Sequence, residues 1–295
     1  MCTRLDSDPR GATLLRFTNN AVYALGDREV VVRIVGTPAL RHRVDKVVQV
    51  ARHLERHGVP AVRLVSDVEQ PVRVGDYLAT VWHRVPDTGR RAGAAELAAL
   101  LRSMHATGLD GASDGASDGT GVDGLGELTP WEPLDDVRVR LDAAGPELAP
   151  ADRAFLLDRC DELDALVAEL DFPLASTLAH GDAHAGNVIV GPDGPVLCDF
   201  DSACVGPPEW DLTPVAVGCL RFGDPPSWHG ELAEGYGFDV TAWEGFDVLR
   251  AVRELKLATS VLPIAGRDEA VRAELGRRIA DLRSADTHQQ WIRYH

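Results

Sequence analysis

Between Leu178 and Asp201 the chain reads LAHGDAHAGNVIVGPDGPVLCDFD. Two short apolar runs, Val188 to Val190 and Val196 to Cys198, flank Gly191-Pro192-Asp193-Gly194, a tetrad whose glycines and proline suit a tight turn. The segment is therefore predicted to double back as a β-hairpin. A hairpin fixes more than its own shape, because the residues flanking its two strands emerge together at the end away from the turn. Asn187 stands just before the first strand, Asp199 just after the second, and Asp182 in the loop leading in. Three oxygen-bearing side chains are thus expected to converge at one mouth.

The rest of the chain supplies a frame for that mouth. LLRFTNNAVYALGDREVVVRI, from Leu14 to Ile34, contains two apolar and β-branched runs parted by Gly26-Asp27 and predicts a second hairpin. Val44, Val47, Val48, Ala51 and Leu54 then recur at helical spacing until Gly58 and Pro60 stop the pattern. VRLVSDV and YLATVWHRV, split by Pro71 and Gly75, read as short strands. Residues 1–85 accordingly form a small strand-rich lobe crossed by one helix, with a hinge near Trp82 to Pro86. From residue 86 to 295 the character is helical, with AAELAALLRSMHA, the stripe Leu156, Cys160, Leu163, Val167 and Leu170, and FDVLRAVRELKLATSVL. Within residues 108–127, the glycine, serine and aspartate of GLDGASDGASDGTGVDG cannot bury a core and predict a flexible loop. The fold class is α+β and bilobal: a small antiparallel-sheet N-lobe followed by a larger, mostly helical C-lobe.

Charge narrows the partners. The net charge of −16 over 295 residues opposes binding to a nucleic-acid backbone or an anionic membrane, and suits either a cationic ligand or solubility alone. Early charges at Arg4, Asp6, Asp8 and Arg10, and the absence of any apolar run approaching the ~20 residues needed to cross a bilayer, lead us to expect a soluble, cytoplasmic protein, a monomer or a weak dimer. The five cysteines contain no CxxC pair, which favours neither a disulfide framework nor a zinc ribbon. Lys46 and Lys256 are the only lysines, so a task usually given to lysine falls to arginine.

The trio at the mouth matches the needs of phosphoryl transfer, where positioning and charge neutralisation carry most of the catalysis. Asp182 is placed to orient an acceptor hydroxyl and take its proton. Asn187 and Asp199 offer the hard oxygens that magnesium prefers. Taken together, HGDAHAGN, the following CDFD and then GPPEWDL resemble the catalytic loop, metal loop and following helix of aminoglycoside phosphotransferases and their choline- and homoserine-kinase relatives. That resemblance implies a protein-kinase-like fold, ATP and Mg2+ as cofactors, and a small hydroxylated molecule as acceptor: an aminoglycoside-like antibiotic, an amino alcohol or a sugar. It implies Asp182 as the catalytic residue, Asn187 and Asp199 as metal ligands, and Asp211 as a buttress behind the catalytic loop.

The nucleotide side departs from the kinase pattern. No GxGxxG loop is present, and Thr18-Asn19-Asn20-Ala21 occupies its place. Arg33 in VVVRI stands where kinases carry a phosphate-binding lysine. The helix position that would supply its glutamate partner falls on Val47, leaving Asp45 as a substitute or no pair at all. Hinge backbone around Trp82 and Arg84 is expected to meet the adenine edge. Asp201 reads equally as a metal or cationic-acceptor contact and as a cap. His184 reads as a loop hydrogen bond or a phosphate or substrate contact, Glu209 as acceptor-pocket lining or core, and Asp211, apart from the resemblance, as a helix N-terminal charge. Two alternatives remain at this level: a nucleotide-binding protein without activity, and a metal-dependent hydrolase using His180, Asp182 and His184.

Overall fold

The computed structural model describes residues 2–5, 7–17, 20–36, 41–109, 125 and 128–293. It divides into two units, Met1–Thr129 with Thr177–Val205, and Pro130–Ser176 with Gly206–His295. The fold is the expected α+β class with an antiparallel sheet.

In the first unit, strands β1 (Thr13–Phe17), β2 (Asn20–Ala24), β3 (Val30–Val35), β4 (Val72–Val74) and β5 (Tyr77–His83) form an antiparallel sheet in the order β1-β2-β3-β5-β4. Val30 and Val32 of β3 are buried, while Val31 and Arg33 point to the other face, as the two-residue period of a strand requires. The run expected as one strand before Gly26-Asp27 is two, β1 and β2. Polar Thr18-Asn19 lies between them, outside the described residues. VRLVSDV also differs from expectation. Against β5 it makes an isolated bridge between Leu64 and Trp82, flanked by the hydrogen bonds from Val65 N–H to Val81 O, 3.0 Å, and from His83 N–H to Arg63 O, 2.8 Å, whereas the strand proper starts after Pro71.

Helix α1 (Arg43–Arg56) buries Val44, Val47, Val48, Ala51 and Leu54, the predicted stripe. Gly58 ends it with φ +67°; the N–H groups of Gly58 and Val59 close on Glu55 O and Leu54 O, a left-handed C-cap that glycine adopts without strain. Helix α2 (Ala94–His105) packs against β6 (Thr177–Ala179) and one arm of the second hairpin, β7 (Val188–Gly191) and β8 (Gly194–Leu197). That hairpin forms as expected, with Val188 opposite Leu197 and Gly191 opposite Gly194. Leu197 is tied to the chain beyond α1 through Leu197 N–H to Pro60 O, 3.0 Å, and Val62 N–H to Leu197 O, 2.9 Å. Most of the predicted 108–127 loop lies outside the described residues.

The second unit is helical: α3 (Asp135–Ala143), α4 (Pro150–Ala168), α5 (Pro208–Arg221), α6 (Ser227–Tyr236), α7 (Phe246–Thr259), α8 (Leu262–Ala265) and α9 (Glu269–Ser284). Leu141, Leu156, Leu163, Trp210, Leu249, Val252 and Leu275 belong to its core. Arg221, 1% exposed, donates to Glu254 at 2.7 Å and to the carbonyls of Asp286 and Gln289, at 2.8 and 3.0 Å. The C-terminal segment is thereby held to α5. Among the described residues no helix is long and apolar enough to cross a membrane.

Candidate active site

The β7–β8 hairpin sets the geometry. Its ladder continues one step beyond the strands, with Cys198 N–H donating to Asn187 O at 3.0 Å, so Asn187 and Asp199 do share the open end. Asn187 is 3% exposed, and its Nδ2 donates to the Asp182 carbonyl at 2.9 Å. The amide thus fastens the loop carrying Asp182 to the hairpin, and its Oδ1 is the end left for a cation. The side chains of Asp182 and Asp199 keep 38% and 40% of their surface. All three predicted residues therefore meet where the sequence places them.

Two backbone features hold this arrangement. Asp199 adopts φ 68°, ψ 69°, a left-handed conformation that costs a non-glycine residue about 1–2 kcal/mol; such strain clusters at sites where a side chain must be aimed. Gly181 has φ +80°, and any Cβ there would press into the Ser202 carbonyl. The glycine of HGD is therefore where the loop bearing Asp182 runs against the turn that follows Asp199. His180 is fully buried, donates its Nε2–H to Cys198 O at 3.0 Å, and lies tilted against Phe200 with ring centroids 5.7 Å apart. His184 Nε2 lies 3.6 Å from Asp182, and its Nδ1 accepts the Gly186 N–H at 3.0 Å. His180 thus turns inward as a packing residue, and the HxDxH cluster of the hydrolase alternative does not assemble.

The charges are crowded. Burial, then the neighbouring Asp201, push the Asp199 carboxyl above its ordinary range, against the pull of Arg33 and His180, with Asp182 adding to the rise. Arg33 projects from β3 into this group. It is ion-paired with Asp201 and lies 3.5 Å from Asp199. Asn20, at the start of β2, donates its Nδ2 to the same Asp201 oxygen at 3.2 Å. Asp45, the substitute partner considered for Arg33, instead faces Arg73 at 3.8 Å on the surface. Val47 is 1% exposed in the core. The burial stripe of α1 leaves no acid on the side that a strand-borne cation could meet.

At the hinge, Trp82 is 7% exposed and its Nε1 donates to Thr80 Oγ1 at 2.7 Å. The N–H groups of His83 and Arg84 donate to Arg63 O and Glu29 O, at 2.8 and 2.9 Å. Glu209 and Asp211 sit in the first turn of α5 in the second unit, both fully buried; Glu209 Oε1 accepts the Leu174 N–H at 2.7 Å. Asn20, read from the sequence only as part of the stretch in place of a glycine-rich loop, stands at the start of β2 against Asp201, a position that follows once β1 and β2 are separated.

The donors suit the expected cofactors. Asp199 carboxylate and Asn187 Oδ1 are hard oxygens at one mouth, with an excess of acid that a divalent cation would neutralise, and Arg33 is a partly buried guanidinium at the sheet face beside them. All five cysteines are free thiols. Burial raises Cys160 to about 11 and Cys198 to about 12, so neither is an activated nucleophile.

The architecture is that of protein-kinase-like small-molecule phosphotransferases. The chain belongs to the phosphotransferase enzyme family (APH), whose model matches residues 15–252; the expectation of a kinase acting on alcohol groups is borne out at that level. No curated protein matches it in sequence. Among solved structures it is similar to an amicoumacin kinase in complex with AMP-PNP, Ca2+ and Ami (16% identity, 96% of this chain and 91% of that one, TM-score 0.71). It is also similar to a microcompartment-associated aminopropanol kinase (16%, 97% and 96%, TM-score 0.67) and to the choline kinase LicA from Streptococcus pneumoniae (14%, 96% and 96%, TM-score 0.66). At these identities the likeness is one of fold.

Proposed function

We propose that the protein is an ATP- and Mg2+-dependent kinase that moves the γ-phosphoryl group to a hydroxyl of a small, amine-bearing molecule. The observation that carries this reading is the meeting of Asp182, Asn187 and Asp199 at one hairpin mouth, with Arg33 reaching in from the sheet. In it, residues 1–85 hold the nucleotide, with Arg33 on its phosphates and the hinge on its base. Because the N–H groups of His83 and Arg84 are engaged, the purine edge uses other hinge groups than these two. Asp182, ahead of the metal pair and exposed, orients the acceptor hydroxyl and accepts its proton. Asn187 and Asp199 would hold Mg2+, which neutralises charge on the phosphates during transfer.

The acceptor class rests on charge. Asp182, Asp199 and Asp201 at the mouth, and a net charge of −16, favour a cation. Neighbours named for aminopropanol and choline fit an amino alcohol or a related amine. The test is an ADP-release screen of hydroxylated amines, aminoglycosides and neutral sugars, with Asp182→Ala beside the wild type. Asp182→Ala should lose about 10²–10⁴-fold in turnover while binding ATP as the wild type does. Equal loss of ATP affinity would sink the assignment of Asp182 to the acceptor, and turnover confined to neutral sugars would sink the amine.

A further inference from the structure

Arg33 needs a partner that holds it still. A guanidinium with 14% of its side-chain surface exposed has lost most of its hydration, a cost that is offset only by a close acid. A long, flexible side chain is also a poor phosphate ligand unless it is fixed. Helix α1 does not supply that acid. Its inward face is Val44, Val47, Val48 and Ala51, and Asp45 is engaged on the surface with Arg73.

The two acids that Arg33 does meet are not equivalent. Asp199 is left-handed in its backbone, 40% exposed in its side chain and 3.5 Å away. Asp201 is 21% exposed and in direct contact. It sits in the short turn Phe200–Ser202, anchored by Phe200 at 1% exposure, against which α1 packs. Its contact oxygen also receives the Asn20 Nδ2 at 3.2 Å. Asp201 therefore joins β2, β3 and the turn after Asp199, whereas Asp199 faces outward. Spacing explains the division: two residues apart around a buried phenylalanine, one carboxylate is turned to the opening and the other to the strand.

We infer that Asp201 is the positioning residue for Arg33, doing from the metal-loop turn what an acid on α1 would otherwise do, with Asn20 holding Asp201 in register. The inference rests on the proposed nucleotide site and deepens it. Its first consequence is that Asp201 acts on the nucleotide through Arg33 and does not serve as a metal ligand. Its second is that the departure which motivated the inactive reading, the missing helix acid, leaves the phosphate-binding arm fully supported.

The test is a coupling experiment on the full chain. AMP-PNP affinity is measured with and without Mg2+, and kcat and KM for ATP and acceptor are measured, for wild type, Arg33→Ala, Asp201→Ala, Asp201→Asn, Asp201→Glu and the double variant Arg33→Ala/Asp201→Ala. Asp201→Ala should raise Kd for AMP-PNP and KM for ATP by about tenfold, whether or not Mg2+ is present, and leave the acceptor KM within about twofold. The double variant should bind no more weakly than Arg33→Ala alone, since neighbours acting through one another are not additive. Asp201→Glu should recover part of the loss. If Asp201→Ala removes only the Mg2+-dependent part of binding and its effect adds to that of Arg33→Ala, Asp201 is a metal ligand and the inference falls. Wild-type values for Asp201→Ala also overturn it. Should Asp201→Ala not fold, Asp201→Asn, matched in shape, is read by the same criteria. A wild type that neither binds AMP-PNP nor turns over any acceptor defeats the phosphotransferase reading itself, a distinct outcome from either of these.

Discussion

Gly181→Ala should disable the site with little change elsewhere. Gly181 lies at φ +80°, where alanine costs about 1–2 kcal/mol. The added Cβ would also stand 2.7 Å from the Ser202 carbonyl carbon and nearer still to its oxygen, whereas real Cβ contacts under 3.0 Å essentially never occur. Both partners are backbone, so relief requires the loop carrying Asp182 and the turn after Asp199 to part by about 1 Å. A displacement of roughly 1 Å at a reacting group costs about 100-fold in rate. We therefore expect kcat to fall by ten- to a hundredfold and folding stability by about 2 kcal/mol. Gly58→Ala is the control: φ is +67° but nothing lies within 4 Å of the new Cβ. It should cost about 1 kcal/mol and leave kcat unchanged. The assay pairs initial ADP-release rates with urea unfolding of each variant. If Gly181→Ala turns over within threefold of the wild type while Gly58→Ala shows a similar stability loss, the contact with Ser202 does not position Asp182 and the reasoning fails.

Asp199→Ala should abolish the stabilisation that Mg2+ with AMP-PNP brings in a thermal-shift titration, and EDTA should do the same to the wild type; retained metal dependence in the variant would contradict the assignment. Arg221→Met leaves Glu254, 4% exposed, with Arg250 at 3.8 Å as its remaining cation among the described residues; it should cost about 3–5 kcal/mol in urea unfolding, and replacing Glu254 by leucine as well should restore part of that. Glu96 accepts from Arg90 at 2.7 and 2.8 Å and from the Gly93 N–H at 2.9 Å, and the Arg90 guanidinium first of all holds its carboxyl down at about 2. A depressed folded-state value means that this stabilisation is complete above the unfolded value of about 4.3 and disappears as pH falls toward 2. Glu96→Gln should cost about 1 kcal/mol at pH 7 and flatten the pH dependence of stability between pH 5 and 2; an unchanged acid limb would refute it.

What could be read from the sequence was local. The Gly191-Pro192-Asp193-Gly194 turn forces the hairpin, and the hairpin forces Asn187 and Asp199 together, so the centre of the site follows from spacing alone. The α1 stripe is legible for the same reason, being one face of one helix. Arg33 with Asp201 is a different case: the two lie 168 residues apart, and no periodicity says which of several acids a strand-borne arginine will meet. The Arg221 contacts with Asp286 and Gln289 are long-range as well, and they end on backbone carbonyls, which every residue possesses. VRLVSDV fails in the opposite direction. Its composition suits a strand, yet β5 meets it only from Arg63 to Val65, and the stretch after Pro71 forms the edge strand instead.

The mouth is also a problem in electrostatics that its own residues leave half solved. Asp182, Asp199 and Asp201 face the Arg33 guanidinium, and the Asp199 carboxyl is pushed up first by burial and then by Asp201, against the pull of Arg33. Nucleotide phosphates entering such a site meet net repulsion, and at a partly buried position each close like-charge pair costs on the order of several kcal/mol at an effective dielectric near 20. Arg33 cannot cancel this by itself, being already paired. A divalent cation held by Asn187 and Asp199 would reverse the sign locally, and an amine on the acceptor would do so beside Asp182. The acid surplus thus ties two readings together: the need for metal on the nucleotide side and the preference for a cation on the acceptor side arise from the same three carboxylates.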